Sequence, residues 1–305
     1  MTALLFAAVV FAWGFTWYAI KLQFGVVPTE VSIFWRFLLA AAVLWAGLAL
    51  TGRLRRVAWR RHLWFAAMGV CLFGLNFVLI YGGSRYVASG IVSLVFTFAT
   101  VFNAVNQWIF LARRPSPRTL AGSALGIAGI ALLFGESVLE VQGGRDTAIG
   151  IALAFCGTYV FSVGNFVSTR ATADGTDLPN AIVRGMSWGA ALLGLWIGLR
   201  GLPPAIEPTP RYLLSLAYLA VIGSVVGFFA YLSLVARVGA DRAAYATVLF
   251  PVIALAVSTL LEGYHWTIWA AAGLPLVLAG NLVIFTRSGV LPRLRRSPAF
   301  LRRTA

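Results

Sequence analysis

The fourth apolar stretch of this 305-residue chain carries Ser89, Ser93, Thr97, Thr100, Asn103 and Gln107 at spacings of three and four residues. On a helix that spacing gathers them on one face. Hydroxyls and amides in an apolar helix have two uses. They can bond to their own backbone or to a neighbouring helix, or they can line a cavity and offer donors and acceptors to a polar solute. A stripe of this length exceeds what helix pairing usually requires, so part of it is read as cavity lining, with Ser93, Thr97 and Thr100 as candidate contacts. Two single amides lie in similarly apolar surroundings: Asn76 near the middle of the third stretch and Asn165 toward one end of the sixth. An amide both donates and accepts, which suits a solute carrying an ammonium and a carboxylate. Asn76 is taken as a candidate contact and Asn165 as an interhelical hydrogen bond.

Aromatic residues form the second group. Trp13 and Trp17 stand one helical turn apart inside the first stretch, and Tyr159, Phe161 and Ser162 occupy the corresponding part of the sixth. Tyr231 and Tyr245 lie in the eighth and ninth, and Ile80 follows Asn76 by one turn. Such walls give an aromatic solute edge-to-face contacts of about 0.5–1.5 kcal/mol each beyond simple burial. Any single ring can equally pack against lipid or a neighbour. Trp59, Trp64, Trp266 and Trp269 fall near stretch ends, where they read as an interfacial belt. Pro251 sits in the middle of the ninth stretch and Pro275 in the tenth. Proline frees a carbonyl and kinks a helix, and in membrane carriers such breaks border the site or the hinge. Pro251 is the candidate hinge, a static kink being the alternative.

Other chemistry is missing. The nine acidic residues all fall in loops or at stretch ends, and His62 and His265 are at boundaries too. Cys71 and Cys156 lie in apolar stretches without a C-x-x-C spacing, so neither a disulfide framework nor a metal site is indicated, and no cofactor is expected. Paired Asp, a Ser–His pair or phosphate-gripping charge inside the membrane would mark an enzyme. None is visible, and no catalytic residue is assigned. Walker and Rossmann glycine motifs are absent among the 31 glycines, which removes an ATP-driven engine. Proton-coupled carriers hold a titratable group near mid-membrane despite a cost of about 2.5–3.5 kcal/mol. None is visible here, which points to downhill or electrically driven movement rather than obligate proton antiport. Arg36 and Arg184 are the charges inside stretches; each lies near an end, and both are read as snorkelling or as pinned to loop carbonyls.

These residues need elements to position them. The chain is 60% apolar and 11% charged, against roughly 25% charged in water-soluble domains, so its surface must face hydrocarbon. Ten apolar stretches can be marked at 2–20, 31–50, 62–81, 87–111, 120–134, 147–168, 178–199, 212–234, 243–261 and 268–285. About 20 residues cross the hydrocarbon core as a helix. Of the lysines and arginines between stretches and in the tail, seventeen fall on one side and five on the other. The richer side is cytoplasmic, which puts both termini there. The net charge of +15 follows from these short loops and a basic tail at 287–305, and does not indicate nucleic acid.

The chain also repeats itself. Residues 87–129 land without a gap on 238–280 when shifted by 151, matching Val87 to Val238, Gly122 to Gly273 and Ala128-Gly129 to Ala279-Gly280. Further forward the shift is 148, which places Trp17 opposite Asn165 and Arg36 opposite Arg184. Two five-helix units follow, 1–135 and 147–286. An odd number makes the second enter from the opposite side, giving inverted repeats. The expected fold is an all-α polytopic membrane protein of ten helices, with helices 1, 3, 4, 6, 8 and 9 around a cavity and helices 5 and 10 at the periphery.

Four stretches carry a resemblance to the drug/metabolite transporter superfamily, in its ten-helix EamA-type branch. They are Ala12-Trp13-Gly14 running on to Lys21, Trp35-Arg36-Phe37-Leu38, Arg85-Tyr86-Val87-Ala88-Ser89-Gly90, and Arg114-Pro115-Ser116-Pro117-Arg118 followed by Gly122 and Ala128-Gly129. The run looks most like the bacterial aromatic amino acid exporters. The family's acidic residue before Arg-Pro is missing, Ala112-Arg113 standing there, while the second half has Glu262-Gly263. The resemblance implies alternating-access export of amino acids or related metabolites across a bacterial inner membrane, by a lipid-embedded protein read as a monomer. A neutral or aromatic amino acid is the expected cargo. A proton-coupled exporter of another metabolite or drug, and a non-transporting membrane scaffold, are the alternatives.

Overall fold

A computed structural model describes residues 1–112, 114–139, 144–238 and 245–285. The tail 287–305 lies outside them, as do Arg113, Glu140, Asp241 and Arg242. The described residues form helices and loops, with no strand.

In chain order the helices are α1 (Thr2–Leu22), α2 (Thr29–Leu50) and α3, which runs as His62–Val70, Cys71–Leu75 and Asn76–Gly83. α4 runs as Ser89–Phe96 and Ala99–Leu111, and α5 is Pro117–Leu139. Next come α6 (Gly144–Ala171), α7 (Leu178–Leu199) and α8, which runs as Pro210–Ala217, Tyr218–Val226 and Gly227–Val238. α9 is Tyr245–Leu261 and α10 is Ile268–Phe285. Seven of these are long and apolar enough to cross a membrane, and α5, α9 and α10 carry shorter apolar segments, Pro117–Leu133, Leu249–Leu261 and Ile268–Ile284. Large side chains such as Phe11, Trp108, Ile109, Leu195 and Leu260 are exposed. So much outward apolar surface fits a polytopic membrane protein and not one covered by water.

Local chemistry sets the ends. Proline opens α5 and α8, where a missing N–H costs nothing, and Thr209 Oγ1 accepts from the Tyr212 N–H at 3.4 Å. Gly52 and Gly201 stop α2 and α7 at φ of 64° and 61°, a conformation that suits glycine.

The helices pair in a pattern that survives exchange of the two halves. α1 packs on α8 and α9 while α6 packs on α3 and α4; α2 lies on α7, α4 on α9 and α5 on α10. α5 and α10 come backbone to backbone. A Cβ on Gly129 would meet the Gly273 carbonyl at 2.7 Å, and one on Gly122 would meet the Gly280 carbonyl. Early residues of one helix therefore face late residues of the other, so the two run antiparallel. They stand beside the remaining helices and, as expected, do not line the central cavity.

Three irregularities break otherwise regular helices. Cys71–Leu75 in α3 and Tyr218–Val226 in α8 are π-helical, and α4 is interrupted at Thr97–Phe98. Each break borders the same cavity. In hydrocarbon an irregular backbone is tolerated where protein or a cavity surrounds it, and π-bulges often mark functional sites.

Candidate functional site

A cavity of about 310 Å³ lies between the helices, walled by α1, α2, α3, α4, α6, α8 and α9. That is the lower end of the roughly 300–1,000 Å³ usual for small-molecule pockets. A larger hollow of about 650 Å³ sits at the loop end of α2, bordered by Arg53, Arg55, Pro179 and Phe229. It shares no lining residue with the first and lacks its convergence of rings and amides, so the inner cavity is the candidate site.

Aromatic rings make most of its wall. α1 presents Trp13, Thr16, Trp17 and Ile20 on one face. Trp13 meets Phe228 at 5.7 Å, Tyr231 at 5.3 Å and Phe250 at 6.3 Å between ring centres, and Trp17 meets Phe96 at 5.2 Å and Phe250 at 6.0 Å. Phe96 continues to Phe161 at 4.6 Å. Trp13 is held by its Nε1–H, which donates to the Gly223 carbonyl of the π-helical part of α8 at 3.2 Å. That carbonyl belongs to the π-helical backbone of α8, which thereby holds the ring.

Polar groups interrupt the rings. Thr97 Oγ1 donates to the Leu94 carbonyl at 2.7 Å and Thr100 Oγ1 to the Thr97 carbonyl at 2.9 Å, across the break in α4. Thr100 Oγ1 also reaches Asn281 Oδ1 at 3.3 Å, so both hydroxyl protons have acceptors in the protein and what remains for a solute is oxygen lone pairs. Asn103 and Asn165 also border the cavity, and Asn103 Oδ1 accepts from Ser162 Oγ at 2.8 Å and from Asn165 Nδ2 at 3.4 Å. Asn165 thus makes the interhelical bond expected of it, while lying at the cavity edge as well. Asn76, immediately after the π turn of α3, is fully buried at the wall, and neither its Nδ2 nor its Oδ1 has a hydrogen-bond partner.

Of the residues singled out from the sequence, Trp13, Trp17, Asn76, Ile80, Thr97, Thr100 and Tyr231 come together at this cavity. Three do not. Ser93 is fully buried one turn before the break, with its hydroxyl donated to the Gly90 carbonyl at 2.6 Å. Ser162 sits one layer back, accepting from Asn106 Nδ2 at 2.8 Å and donating to Asn103. Tyr159 faces outward at 39% exposure against Phe102. Helical spacing fixed which residues share a face; the rotation of α6 turned Phe161 inward and Tyr159 outward. The side chain of Tyr245 lies outside the described residues, and Pro251 follows the lining residue Phe250 in α9.

Lining residues that sequence reasoning passed over had a signal available. Thr16 and Ile20 share the face of Trp13 and Trp17; Phe96 shares that of Thr100 and Asn103; Phe228 stands one turn before Tyr231. Arg36 departs furthest from expectation. It is 3% exposed and borders the cavity, with its Cζ 4.5 Å from the Phe77 ring centre and 5.2 Å from that of Phe37. Its repeat counterpart Arg184 behaves as expected. Nη1 donates to the Asn180 carbonyl at 2.9 Å and to Asn180 Oδ1 at 3.0 Å, Nη2 donates to the Arg55 carbonyl, and Trp45 packs over the guanidinium at 5.2 Å.

One end of the helix group is tied by Glu262, just past α9. Its carboxylate accepts from the Ser89 N–H at 3.0 Å, from the Ser89 hydroxyl and from the Ser258 hydroxyl at 2.9 Å, and pairs with Lys21 Nζ at 3.0 Å. Burial pushes the carboxyl up, but the Ser89 bonds and Lys21 outweigh it and hold Glu262 below the ordinary glutamate value. In the 172–177 loop, Arg61 and Thr176 likewise hold the Asp174 carboxyl well below the usual range.

Comparison with known proteins bears on what this cavity serves. An uncharacterized transporter of Bacillus subtilis is 26% identical, the match covering 94% of this chain and 92% of that protein. A probable amino-acid metabolite efflux pump of Escherichia coli is 24% identical, with 89% and 90% covered. A probable terminal-alkyne amino-acid exporter of Streptantibioticus cattleyicolor is 28% identical, with 69% of each chain covered. A crystal structure 18% identical superposes with a TM-score of 0.64, covering 93% of this chain and 96% of that one, which shows a shared fold. The model of the EamA-like transporter family matches residues 1–135 and 148–286, so the protein belongs to that family.

Proposed function

We propose that the protein exports neutral or aromatic amino acids, or closely related small metabolites, across a bacterial inner membrane by alternating access. The observation that carries this reading is the small interior cavity, walled by aromatic rings and a few amides and hydroxyls, with no acidic residue among its described lining residues. Rings suit a large apolar side chain, and a cavity of about 310 Å³ limits the cargo to a small molecule. The similar efflux pump and alkyne amino-acid exporter are named for cargo of that class.

Two inverted five-helix units, 1–135 and 147–286, supply the motion in this reading. Exchangeable helix pairing and the antiparallel α5–α10 crossing support it. Lys21 and Glu262 bind the end of α1 to the end of α9 and the start of α4, closing the cavity at that end. Pro251 beside Phe250 is the hinge, and Tyr245 a further contact. Glu262 is held ionised and is not among the cavity's described lining residues, which favours downhill or electrically driven export over obligate proton antiport.

Counterflow in liposomes with labelled Phe, Met, Thr, Lys and Glu tests the proposal. Exchange of Phe and Met well above Lys and Glu, without an imposed pH gradient, is expected. Equal exchange of all five, or of none, removes the amino acid assignment; exchange only under a proton gradient removes the coupling mode. Pro251→Ala in the same assay should keep the selectivity and lower the rate.

A further inference from the structure

Arg36 is placed where a cation needs a reason. It stands seven residues into α2, about 10 Å along the helix at a rise of ~1.5 Å per residue, and its guanidinium reaches the cavity wall rather than a loop. Nε approaches Ser224 Oγ at 3.4 Å, and Nη1 is buried with no hydrogen-bond partner. The Tyr81 phenol oxygen accepts from the guanidinium while its own proton goes to Gln23 Oε1 at 2.8 Å, so this neighbour offers a neutral acceptor and no counter-charge. Among the described residues the ion pairs are Lys21–Glu262 and Arg61–Asp174, so no described carboxylate pairs with Arg36.

A guanidinium cannot shed its proton in a protein, and an unpaired buried cation is costly. Arg184, at the matching position of the repeat, meets the same demand with carbonyls and an amide oxygen. Arg36 has only the Ser224 and Tyr81 oxygens, and its Nη1 stays without a partner. Nearby on the same wall lie other vacant groups: both polar atoms of Asn76, fully buried, and Nε1 of Trp17 at 7% exposure. Donors predominate in this set, and no anion among the described residues faces it.

We infer that Arg36, assisted by Asn76 Nδ2, seats the carboxylate of an apolar cargo, so that the cavity selects monocarboxylates with an aromatic or aliphatic body. The inference rests on the cavity being the transport site and narrows its chemistry. Arginine suits a carboxylate because its N–H fork matches the two oxygens. Nothing comparable awaits an ammonium. The Asn76 Oδ1 and the tryptophan faces can accept one, but no lining acid requires it. The carboxylate is therefore obligatory and the amino group dispensable, a preference that aromatic walls alone would not produce.

Calorimetric binding to the full-length protein in detergent, with L-phenylalanine, 3-phenylpropionate and 2-phenylethylamine, tests this. Both carboxylates should bind, and the amine at least about tenfold more weakly. Arg36→Met should weaken both carboxylates by roughly tenfold to a hundredfold, the range for a lost hydrogen bond to a charged group, with Arg36→Lys falling between. Should Arg36→Met fail to elute as folded protein, the wild-type comparison of acid with amine still decides. Equal affinity for the amine and the two acids overturns the assignment, as does unchanged carboxylate affinity in folded Arg36→Met. Either result together with amino acid counterflow overturns Arg36 alone; neither binding nor counterflow overturns the transport reading with it.

Discussion

Asn76 and Asn103 are the same residue type on the same cavity wall, and their surroundings separate their roles. Asn103 accepts from Ser162 and Asn165 and ties α4 to α6. Asn76 leaves both polar atoms unpaired at full burial. An unsatisfied buried group costs about 1–3 kcal/mol, and an apolar residue of similar shape relieves that cost. Asn76→Leu should therefore raise stability by about 1 kcal/mol while lowering counterflow, whereas Asn103→Leu should destabilise by a similar amount. Thermal unfolding in detergent read alongside counterflow decides. Stability lost in Asn76→Leu with full counterflow would make Asn76 a structural amide. These two amides cannot be told apart from the residues alone, because satisfaction depends on partners on other helices.

At the scale of the element, the tie at Glu262 joins three helix ends through one carboxylate. The first half has Ala112 in the corresponding region, so the tie has no carboxylate counterpart there. Because the folded carboxyl sits below its ordinary value of 4.5, the tie stabilises fully above that value and loses its contribution as pH falls through the lower folded one. At neutral pH Glu262→Gln should cost about 1–2 kcal/mol, the worth of hydrogen bonds to a charged acceptor at a partly exposed pair. The gap in unfolding temperature between wild type and Glu262→Gln should close on acidification. A gap that stays constant from neutral to acid pH would show that the ionised carboxylate is not what holds these ends. The stretch boundaries themselves were legible: the sequence places helices at 178–199 and 268–285, and α7 and α10 occupy those same spans. The π turns of α3 and α8 were not legible, since no proline or charge marks them.

For the molecule as a whole, orientation follows from charge. Seventeen basic residues on one side against five on the other predict, under the positive-inside rule, that both termini are cytoplasmic. A reporter fused to either terminus should be active only if cytoplasmic, and one placed in the 201–209 loop only if outside. A terminus reported on the outer side would reverse the direction of every helix and the side that Glu262 closes.

Composition and span length, properties of the chain alone, were enough for the membrane class and the helical stretches, and the internal matches at a shift of 151 led to the expectation of a repeat. The sequence also gathered Trp13 with Trp17 and Thr97 with Thr100, since residues three or four apart share a helix face whatever surrounds them. Only the tertiary structure decided which face turns inward. Rotation about a helix axis is set by packing against neighbours, so Phe161 lines the cavity and Tyr159 faces outward. The same holds for the two arginines that the repeat equates. Arg184 meets the loop carbonyl of Arg55 and the groups of Asn180, while Arg36, at the matching place, meets a cavity. Sequence symmetry made them equivalent; the groups brought against them across the fold made one an anchor and left the other in want of an anion.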